Sequence, residues 1–417
     1  MNTYIYPNEL CGTVTAPGSK SFAIRQLILA ALSDAPTKIR CDNICDDVSV
    51  VIRCLRALGA KIVRRNGIIY VKPVENLPKD RIILNCGESG AVLRFMLPVV
   101  CTLGCSAEMR MGRRLCERPI EPLVNELTAH GAKIVFPDKQ TIKVSGHLNG
   151  ECFFIPADVS SQFASGLLLA LAAKGGGEVY ITSEINSPSY IDITLRCLKR
   201  FGLGVTREGN AIFVSGAPVS PRETICEGDW SAAAYWLCAG ALGKKTVSVA
   251  GLDLNSAQGD RRILDLLTEM GARVTTECGT VSVSGGKLSS GVIDASDIPD
   301  LVPVLAVVCA CADGESRICG VDRLRSKESD RVQSVCDMIN SLGGAAHYSD
   351  GAIVINGGGL RGGFVHSFSD HRIVMSAAVA SCVCNEPIIL DSFDTFGKSY
   401  LHFDEHFLSC GGRYESV

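Results

Sequence analysis

The sequence predicts an α/β (α+β) fold made of six similar units, each with elements in the order β-α-β-α-β-β or close to it. Two observations predict this repeat. A helix-like segment that ends at a glycine recurs at nearly equal intervals, and an extended run rich in β-branched residues follows it. The recurring glycines are Gly59, Gly131, Gly202, Gly271, Gly343 and, in a weaker copy, Gly411, which are 72, 71, 69, 72 and 68 residues apart. Six units of about 70 residues account for the 417 residues and suggest two globular domains of three units each.

Each recurring glycine fits the left-handed cap that ends a helix, because a residue without a Cβ adopts that conformation at little cost. Amphipathic helices are predicted before the glycines, as at 46–58, 191–201 and 262–270. Short strands are predicted at 68–71, 82–84, 142–144, 211–214 and 352–355, and apolar helices at 163–173, 230–242, 300–312 and 371–383. Gly-Ala after a helix is also common in general, but chance does not explain such regular intervals.

Composition restricts the class of protein. Hydrophobic residues make up 47% and charged residues 20% of the chain, which excludes a disordered polypeptide. The net charge of −3 argues against nucleic acid as the main partner. No apolar run reaches the ~20 residues of a membrane-spanning helix, and the twenty cysteines include no C-x-x-C pair. We therefore expect a cytoplasmic protein with reduced thiols and no membrane partner.

Residues 17–25 read Pro-Gly-Ser-Lys-Ser-Phe-Ala-Ile-Arg and lead from a turn into a predicted helix. The free N–H groups and the positive end of the helix dipole suit anions, and Lys20, Ser21 and Arg25 add charge and hydrogen-bond donors. The glycine-rich P-loop pattern does not occur at this turn. A plain helix cap is the alternative interpretation.

Further polar motifs also precede predicted helices. Gly90 lies in a glycine-rich turn where a ligand can approach the backbone closely, and Arg118 ends an arginine-rich stretch. Two other helix starts carry more hydrogen-bonding side chains than one cap needs: Ser160, Ser161, Gln162, Ser187 and Tyr190. The alternatives are ordinary strand-to-helix turns and a solvated basic loop.

The second half of the chain adds carboxylates among cations. Asp300 heads the longest predicted apolar helix, and Glu328 lies in a run of both charge signs at 323–331, a pattern that usually marks a solvated face. The motifs together supply eight cations: Lys20, Arg25, Arg94, Arg118, Lys327, Arg331, Arg372 and Lys398. Because the motifs precede helices at matching places in successive units, we expect the helix N-termini to point at one cleft that binds small phosphates and carboxylates.

With these motifs in this order, the chain resembles the 5-enolpyruvylshikimate-3-phosphate (EPSP) synthase family of enolpyruvyl transferases. The motifs that carry the resemblance are Pro-Gly-Ser-Lys-Ser-x-x-x-Arg, Ser-Ser-Gln-Phe, Ser-x-x-Tyr-Ile-Asp-Ile-Thr, Lys-Glu-Ser-Asp-Arg and Asp-His-Arg, between about residues 17 and 400. The resemblance implies an inside-out α/β barrel type with two domains, one at 16–227 and the other joining 1–15 to 228–417. It also implies that the active site lies in the interdomain cleft.

The implied reaction adds the 5-hydroxyl of shikimate 3-phosphate to C2 of phosphoenolpyruvate, and a tetrahedral intermediate then expels phosphate. It belongs to the shikimate route to aromatic amino acids. By resemblance, Asp300 is the base toward the hydroxyl, Glu328 donates a proton to the methylene carbon, and Lys20 lies close to both substrates. The family uses no metal or organic cofactor, its partners are these small molecules, and we expect a monomer whose domains close on substrate.

The resemblance also implies two sets of binding residues. Shikimate 3-phosphate is expected at Lys20, Ser21, Arg25, Ser160, Ser161, Gln162, Ser187, Tyr190, Asp300 and Lys327. Phosphoenolpyruvate is expected at Lys20, Gly90, Arg118, Gln162, Arg331, Arg372 and Lys398.

The sequence departs from the family pattern at three positions. Arg323 stands where many members have Asn, Ala91 replaces a common Thr or Ser, and Leu401 replaces a common Pro. None removes a charged group that the mechanism needs. Gly90 leaves room where a methyl group would crowd phosphoenolpyruvate or the herbicide glyphosate, so we predict that glyphosate inhibits the protein.

Three other functions are alternatives for this sequence. UDP-N-acetylglucosamine enolpyruvyl transferase shares the implied fold and reaction type, but that sister family usually has Asn where this chain has Arg25. Residues 402–406 spell H-x-x-E-H, a zinc-protease pattern, for which a surface helix is the alternative. A non-catalytic anion-binding module would not explain why Asp300 and Glu328 lie among so many cations.

Overall fold

Six four-stranded sheets, with the helices that connect their strands, are formed by residues 2–417, the part of the chain that the computed structural model describes. The chain divides into two compact units. The first unit joins the segment up to Pro17 to Glu227–Val417, and the second unit is Gly18–Cys226. Each unit contains three sheets whose strands all belong to that unit.

The first unit begins with strands β1 (Thr3–Ile5) and β2 (Gly12–Thr15). The second unit contains α1 (Lys20–Leu32), β3 (Thr37–Arg40), α2 (Asp46–Ala57), β4 (Lys61–Arg65), β5 (Ile68–Lys72), β6 (Ile82–Gly87), α3 (Gly90–Leu103), β7 (Ala107–Met111), α4 (Glu121–Ala129), β8 (Ala132–Asp138), β9 (Thr141–Gly146), β10 (Cys152–Ile155), α5 (Ser161–Lys174), β11 (Gly176–Ile181), α6 (Pro188–Arg200), β12 (Gly204–Glu208), β13 (Ala211–Ser215) and β14 (Glu223–Ile225).

The first unit resumes with a longer series. It contains α7 (Trp230–Leu242), β15 (Val247–Ala250), α8 (Ile263–Glu269), β16 (Arg273–Glu277), β17 (Thr280–Ser284), β18 (Val292–Asp294), α9 (Val302–Ala310), β19 (Glu315–Cys319), α10 (Arg331–Ser341), β20 (Ala345–Ser349), β21 (Ala352–Asn356), β22 (Gly363–Val365), α11 (His371–Ala380), β23 (Ile388–Leu390), α12 (Phe403–Ser409) and β24 (Tyr414–Ser416). Short 3-10 helices lie at Leu115–Glu117, Gly259–Arg262, Asp322–Ser326 and Phe393–Lys398.

All six sheets share one strand order, which the sheet β6-β7-β9-β8 illustrates. Strands β6 and β7 are parallel, as a strand–helix–strand crossover requires. Strands β8 and β9 form a hairpin, and β9 pairs antiparallel with β7. This is the β-α-β-α-β-β unit that the glycine spacing predicts.

Three sheets are completed by strands from distant parts of the chain. In the second unit, β14 pairs parallel with β3, with Thr224 opposite Ile39. In the first unit, β2 pairs parallel with β15, and β1 lies antiparallel between β23 and β24. The N-terminal strands are therefore integral to the first unit.

The first helix of every repeat is buried on nearly all sides. In α9 every residue from Val302 to Ala310 is buried, and α5 and α7 are apolar on all faces in the same way. The second helices are amphipathic, as in α6, which buries Ile191, Ile193 and Leu198 and exposes its charged face. Polar motifs lie at the N-termini of the buried helices α1, α3, α5, α9 and α11, and others precede the second helices α4, α6 and α10.

Two predicted apolar helices have different ends in the structure. The helix expected at 300–312 spans Val302–Ala310, because two turns precede it: Ile298 N–H donates to the carbonyl of Ala295, and Leu301 N–H to that of Ile298. The helix expected at 371–383 ends at Ala380 in a series of turns. Among the described residues, no helix combines the length and apolar character needed to cross a membrane.

Candidate active site

The first unit brings together charged residues that the sequence singled out. Asp300 lies two residues before α9, Glu328 follows a 3-10 helix, and Arg331 is the first residue of α10. Arg372 lies in the first turn of α11, and Lys398 ends the 3-10 helix before α12. We call these five residues, with Lys327 and Asp370, the first-unit cluster.

Arg331 is the centre of the first-unit cluster and is only 1% exposed. Its Nη1 donates to Asp300 Oδ1 at 2.7 Å, its Nη2 to Glu328 Oε2 at 2.8 Å, and its Nε to Asp370 Oδ2 at 2.7 Å. Arg372 Nη2 donates to the other oxygen of Asp300 at 3.0 Å. The planar guanidinium thus fixes the two predicted catalytic carboxylates, Asp300 and Glu328, relative to each other.

Asp370 was not among the residues to which the sequence gave a role. Its side chain is wholly buried, accepts hydrogen bonds from Arg331 and from Ser329 Oγ (3.0 Å), and caps α11 by accepting from the Arg372 N–H. Asp370 therefore orients the guanidinium of Arg331 and fixes the backbone of Arg372 at the start of α11. The Asp-His-Arg motif marked the position, but a helix cap alone would have explained an aspartate there.

The charged groups of the first-unit cluster shift one another's pKa values. Burial would raise the pKa of Asp300, but Arg372 and Arg331 outweigh it and hold the pKa well below its usual range. Burial lowers the pKa of Lys327 to about 8; Asp300 opposes this shift and Arg331 adds to it. Lys398 Nζ lies 3.8 Å from Glu328 Oε1. Four cations and three carboxylates share this cluster, so it can accept anionic groups.

A further buried carboxyl, Asp260, lies in the 3-10 helix Gly259–Arg262 of the same unit. Ser231, in the first turn of α7, donates to it. Burial, with the nearby charge of Asp300, raises the pKa of Asp260 to about 7. No motif in the sequence pointed to this residue, because its burial follows from the packing of α7 against a turn about 30 residues later.

In the second unit, Lys20 is the first residue of α1 and pairs with Asp47 of α2, Nζ to Oδ2 at 3.1 Å. Asp47 is nearly buried. The sequence singled out Lys20 but not its partner, since an aspartate in the first turn of a helix is usually explained by the helix dipole. The ion pair holds the Lys20 ammonium at the N-terminal end of α1.

Arg25 is 2% exposed, and its hydrogen-bond acceptors are neutral. Its Nε donates to Thr194 Oγ1 at 2.7 Å, and its other nitrogens donate to the carbonyls of Ser21 at 2.9 Å and Tyr190 at 3.0 Å. The guanidinium also lies 4.7 Å from the centre of the Phe95 ring. Burial lowers the pKa of Arg25 to about 10. Through these hydrogen bonds, Arg25 connects the motif that contains Ser21 with the motif that contains Tyr190.

Gly90, Arg118 and Gln162 come together around Arg94. Arg94 donates from Nη1 to Gln162 Oε1 at 3.0 Å and from Nη2 to the carbonyl of Pro119 at 2.9 Å. A Cβ added to Gly90 would lie 2.8 Å from Arg94 Nη1 and 3.0 Å from Arg118 Nη1. The glycine therefore allows two guanidinium groups to approach the N-terminus of α3.

The serine motifs of the second unit lie at helix starts. Ser160 caps α5 by accepting from the Gln162 N–H at 3.3 Å, and Ser161 is buried beside it. Ser187 is buried before Pro188 with a φ of 55°, in the left-handed region, and its carbonyl accepts from the Tyr190 N–H. Such backbone strain in a non-glycine residue is typical of functional sites.

Other charged motifs have ordinary roles. Arg110 and Arg114 form exposed ion pairs with Glu108 and Glu117, as the solvated-loop alternative predicts. In the H-x-x-E-H segment, His402 pairs with Glu405 at 3.2 Å, whereas His406 contacts the Tyr400 hydroxyl. Across residues 2–417, no group of three His, Cys, Asp or Glu side chains is arranged to hold a metal ion. All twenty cysteines are free.

Comparison with known proteins assigns the chain to a family. The model of the family described as EPSP synthase (3-phosphoshikimate 1-carboxyvinyltransferase) matches residues 6–407. Proteins named 3-phosphoshikimate 1-carboxyvinyltransferase from Clostridium kluyveri and Clostridium botulinum are each 35% identical to this chain. Both matches cover 99% of this chain, with 97% and 98% of the respective relatives.

Solved structures match over the whole length. An EPSP synthase from Acinetobacter baumannii is 25% identical, covers 100% of both chains and superposes with a TM-score of 0.83. The enolpyruvyl transferase NikO from Streptomyces tendae shares the fold, with a TM-score of 0.77 and 17% identity over 99% of this chain and 98% of that one. The predicted fold class, six repeats of the inside-out α/β type, is thereby confirmed.

Proposed function

Because the chain belongs to the EPSP synthase family, we propose that it transfers the enolpyruvyl group of phosphoenolpyruvate to the 5-hydroxyl of shikimate 3-phosphate. The observation that carries the proposal is Arg331, which holds Asp300 and Glu328 on one buried guanidinium. The alternative acceptor, UDP-N-acetylglucosamine, is not favoured by the relatives.

In the proposed addition step, Asp300 takes the proton of the 5-hydroxyl while the oxygen forms a bond to C2 of phosphoenolpyruvate. Asp300 is suited to accept a proton because Arg372 and Arg331 keep it ionised. When these arginines turn their charge toward substrate phosphate and carboxylate groups, Asp300 becomes a stronger base. The cations then stabilise the negative charge of the tetrahedral intermediate.

Glu328 is the proposed proton donor to the methylene carbon. In the structure its carboxylate accepts from Arg331 and lies near Lys398, and both cations favour the ionised form. We propose that bound anions draw these cations away, so that Glu328 takes up a proton that it can deliver. In the elimination step a proton leaves the new methyl group, the C–O bond to phosphate breaks, and phosphate departs.

The binding roles are proposed on the same basis. Shikimate 3-phosphate would meet the buried charge of Arg25 and the hydroxyl groups at the starts of α5 and α6, together with Lys327. Phosphoenolpyruvate would meet Gly90, Arg118 and Gln162 of the second unit and the arginines and Lys398 of the first unit. The contacts among Arg94, Gln162 and the Pro119 carbonyl support a fixed geometry for this second set.

The deciding experiment mixes the protein with both substrates in buffer without added metal and measures phosphate release. We expect release that requires phosphoenolpyruvate and shikimate 3-phosphate together. Absence of release, or release only with UDP-N-acetylglucosamine as acceptor, would overturn the proposal. We also propose a cytoplasmic monomer without a metal or organic cofactor; gel filtration of the active protein at a dimer mass would contradict the monomer.

The roles of the carboxylates are tested in the same assay. Glu328→Gln and Asp300→Ala are expected to lower kcat by about 10²–10⁴-fold, the usual contribution of a general acid or base. Glu269→Gln, at an exposed position of α8, is the control and should retain full turnover. Near-normal turnover in both active-site variants, with folding verified by circular dichroism, would refute their roles.

A further inference from the structure

A chain of hydrogen bonds in the first unit involves a histidine of the H-x-x-E-H segment. Trp236 of α7 donates from Nε1 to the Tyr400 hydroxyl at 3.0 Å, and this hydroxyl contacts His406 Nδ1 of α12 at 2.5 Å. Tyr400 and Trp236 are fully buried. We call these three residues the aromatic latch.

The chemistry of the groups fixes the direction of the hydrogen bond between Trp236 and Tyr400. An indole N–H can only donate, so the Tyr400 oxygen accepts from Trp236. The Tyr400 oxygen also contacts His406 Nδ1, and the tautomer of the imidazole sets which of the two atoms donates in this hydrogen bond. If Tyr400 loses its hydroxyl, the buried indole N–H of Trp236 loses this hydrogen bond, which destabilises the arrangement.

The aromatic latch lies immediately beside a residue of the proposed site. Lys398 ends the 3-10 helix Phe393–Lys398, two residues before Tyr400, whose N–H donates to the Phe396 carbonyl at 3.0 Å. The same 3-10 helix carries Phe396, whose ring packs against Phe403, and Phe403 in turn packs on Trp236. The backbone that carries Lys398 is thus fixed to the buried helix α7 through the ring of Tyr400.

The sequence after Lys398 needs such a fixing contact. Leu401 follows Tyr400, is 40% exposed, and has none of the restraint on φ that a proline would impose there. Lys398 is a flexible side chain, and its ammonium lies 3.8 Å from Glu328. Its position depends on where its backbone is held.

We propose that Tyr400 and His406 are positioning residues for Lys398: the aromatic latch holds the 3-10 helix so that the Lys398 ammonium is placed for phosphoenolpyruvate. The inference rests on the proposed function for the identity of the ligand. The placement of Lys398 itself rests on the latch geometry. The second histidine of the zinc-protease pattern thereby has a role as the hydrogen-bond partner of Tyr400.

The kinetic test compares Tyr400→Phe, His406→Leu and His406→Asn with wild type. Displacing a positioned group by about 1 Å can cost up to ~100-fold, and we expect Tyr400→Phe and His406→Leu to raise KM for phosphoenolpyruvate by about 3–10-fold. KM for shikimate 3-phosphate should stay within twofold. His406→Asn, whose amide can replace Nδ1 either as acceptor or as donor, should restore KM to within twofold of wild type. Tyr414→Phe, a tyrosine of the neighbouring aromatic packing, is the matched control and should leave both constants unchanged.

A second measurement tests the placement of Lys398 without using the enzymatic reaction. Wild type and the same variants are treated with an amine-acylating reagent, and the rate of Lys398 modification is read by mass spectrometry. We expect Tyr400→Phe and His406→Leu to change this rate at least threefold, and Tyr414→Phe and His406→Asn to leave it unchanged. If wild type releases no phosphate, the proposed function fails and the acylation rates alone judge the latch. Unchanged acylation, a parallel rise in both KM values, or His406→Asn behaving like His406→Leu would overturn the latch proposal.

Discussion

Arg331 shows how a buried charge is retained in the first unit. It is 1% exposed and contacts three carboxylates, so its burial is compensated by hydrogen bonds on every nitrogen of the guanidinium. Arg331 and the three carboxylates together carry a formal charge of −2, and Arg372, Lys327 and Lys398 bring the cluster to +1. This small positive excess attracts anions, which is the property the proposed reaction requires.

Gly90 supports a prediction about ligand size. Gly90→Ala would place a methyl group against the guanidinium ends of Arg94 and Arg118, which are flexible and can move aside. We therefore expect little loss of thermal stability but a KM for phosphoenolpyruvate raised about tenfold, equivalent to ~1.4 kcal/mol. Wild type should be inhibited by glyphosate, and the variant should need more of it; initial rates at increasing glyphosate measure both effects.

Two outcomes would contradict this account of Gly90. If millimolar glyphosate leaves the wild-type rate unchanged, the expected sensitivity is wrong. If Gly90→Ala lowers the melting temperature while leaving KM unchanged, the methyl group strains the fold and does not displace the arginine side chains. Gly291→Ala is the control, because an added Cβ there has nothing within 4 Å.

Asp260 predicts a pH dependence of stability. Its pKa is raised to about 7 in the folded state, whereas an unfolded aspartate titrates near ~3.9. Between these pH values the folded chain keeps a proton that the unfolded chain releases. The contribution of Asp260 to the free energy of unfolding therefore falls as pH rises and levels off above about pH 7. As pH rises across this window, we expect the free energy of unfolding of Asp260→Asn to increase relative to that of wild type, by up to about 1.4 kcal/mol per pH unit.

Urea unfolding at pH 5 and pH 8 measures this gain. Asp265→Asn, at an exposed position of α8, should follow wild type at both pH values. A difference between Asp260→Asn and wild type that is the same at pH 5 and pH 8 would show that Asp260 does not hold a proton in the folded state.

At the scale of single elements, the glycine pattern was a reliable guide because it reports backbone geometry directly. Gly59, Gly131, Gly202, Gly271 and Gly343 all have positive φ, between 79° and 108°, which confirms the predicted left-handed caps. Buried and amphipathic helices were likewise visible in the spacing of apolar residues. Local physics decides these features, so a single sequence contains them.

Features that depend on distant pairing were not predictable in this way. Nothing in Gly12–Thr15 or Glu223–Ile225 indicates that these strands complete sheets with β15 and β3. The burial of Asp260 and the contact between Tyr400 and His406 also arise from tertiary packing. The site residues were found because they lie in dense polar motifs at helix starts. Asp47 and Asp260 were missed because neither lies in such a motif, and each is paired with a residue of a distant helix, Lys20 and Ser231.

The packing of α3 against α5 gives a prediction for an element. A Cβ added to Gly166 would lie 2.2 Å from the backbone carbonyl oxygen of Arg94, and backbone atoms cannot move aside as side chains can. We expect Gly166→Ala to destabilise the protein by about 1–3 kcal/mol, and to raise KM for phosphoenolpyruvate because α3 carries Arg94. Urea unfolding and steady-state kinetics measure the two effects.

The comparison with Gly291→Ala separates packing from the general effect of alanine. At this open position alanine should stabilise the chain slightly, by about 0.4–1 kcal/mol, through the unfolded state. If Gly166→Ala is as stable as Gly291→Ala, the close contact of the two helices is not needed for the fold.

At the scale of the whole molecule, the two units differ in how their sheets are completed. Every strand of the three sheets in Gly18–Cys226 lies within that continuous segment. The first unit instead requires β1 and β2, which come before the second unit in the chain. Cutting the chain at the unit boundary should therefore affect the two units differently.

We predict that residues 18–226 fold cooperatively as a separate polypeptide and that residues 227–417 do not. Without β1, strands β23 and β24 lose the strand that joins them, and β15 loses β2. Asn2 and Val417 exchange two backbone hydrogen bonds, at 3.0 and 2.8 Å, so a short glycine-containing turn can connect residue 417 to residue 2. A polypeptide of 227–417, this turn and 2–17 should fold.

Circular dichroism and urea unfolding of the three polypeptides test this difference. The linked polypeptide should unfold in one cooperative transition, because all three of its sheets are complete, whereas 227–417 should show a broad, non-cooperative loss of signal. An equal midpoint for 227–417 and the linked form would mean that β1 and β2 add nothing to the stability of the first unit. Since β1 lies in the middle of its sheet, between two strands that do not pair with each other, its removal cannot be repaired by a shift of register.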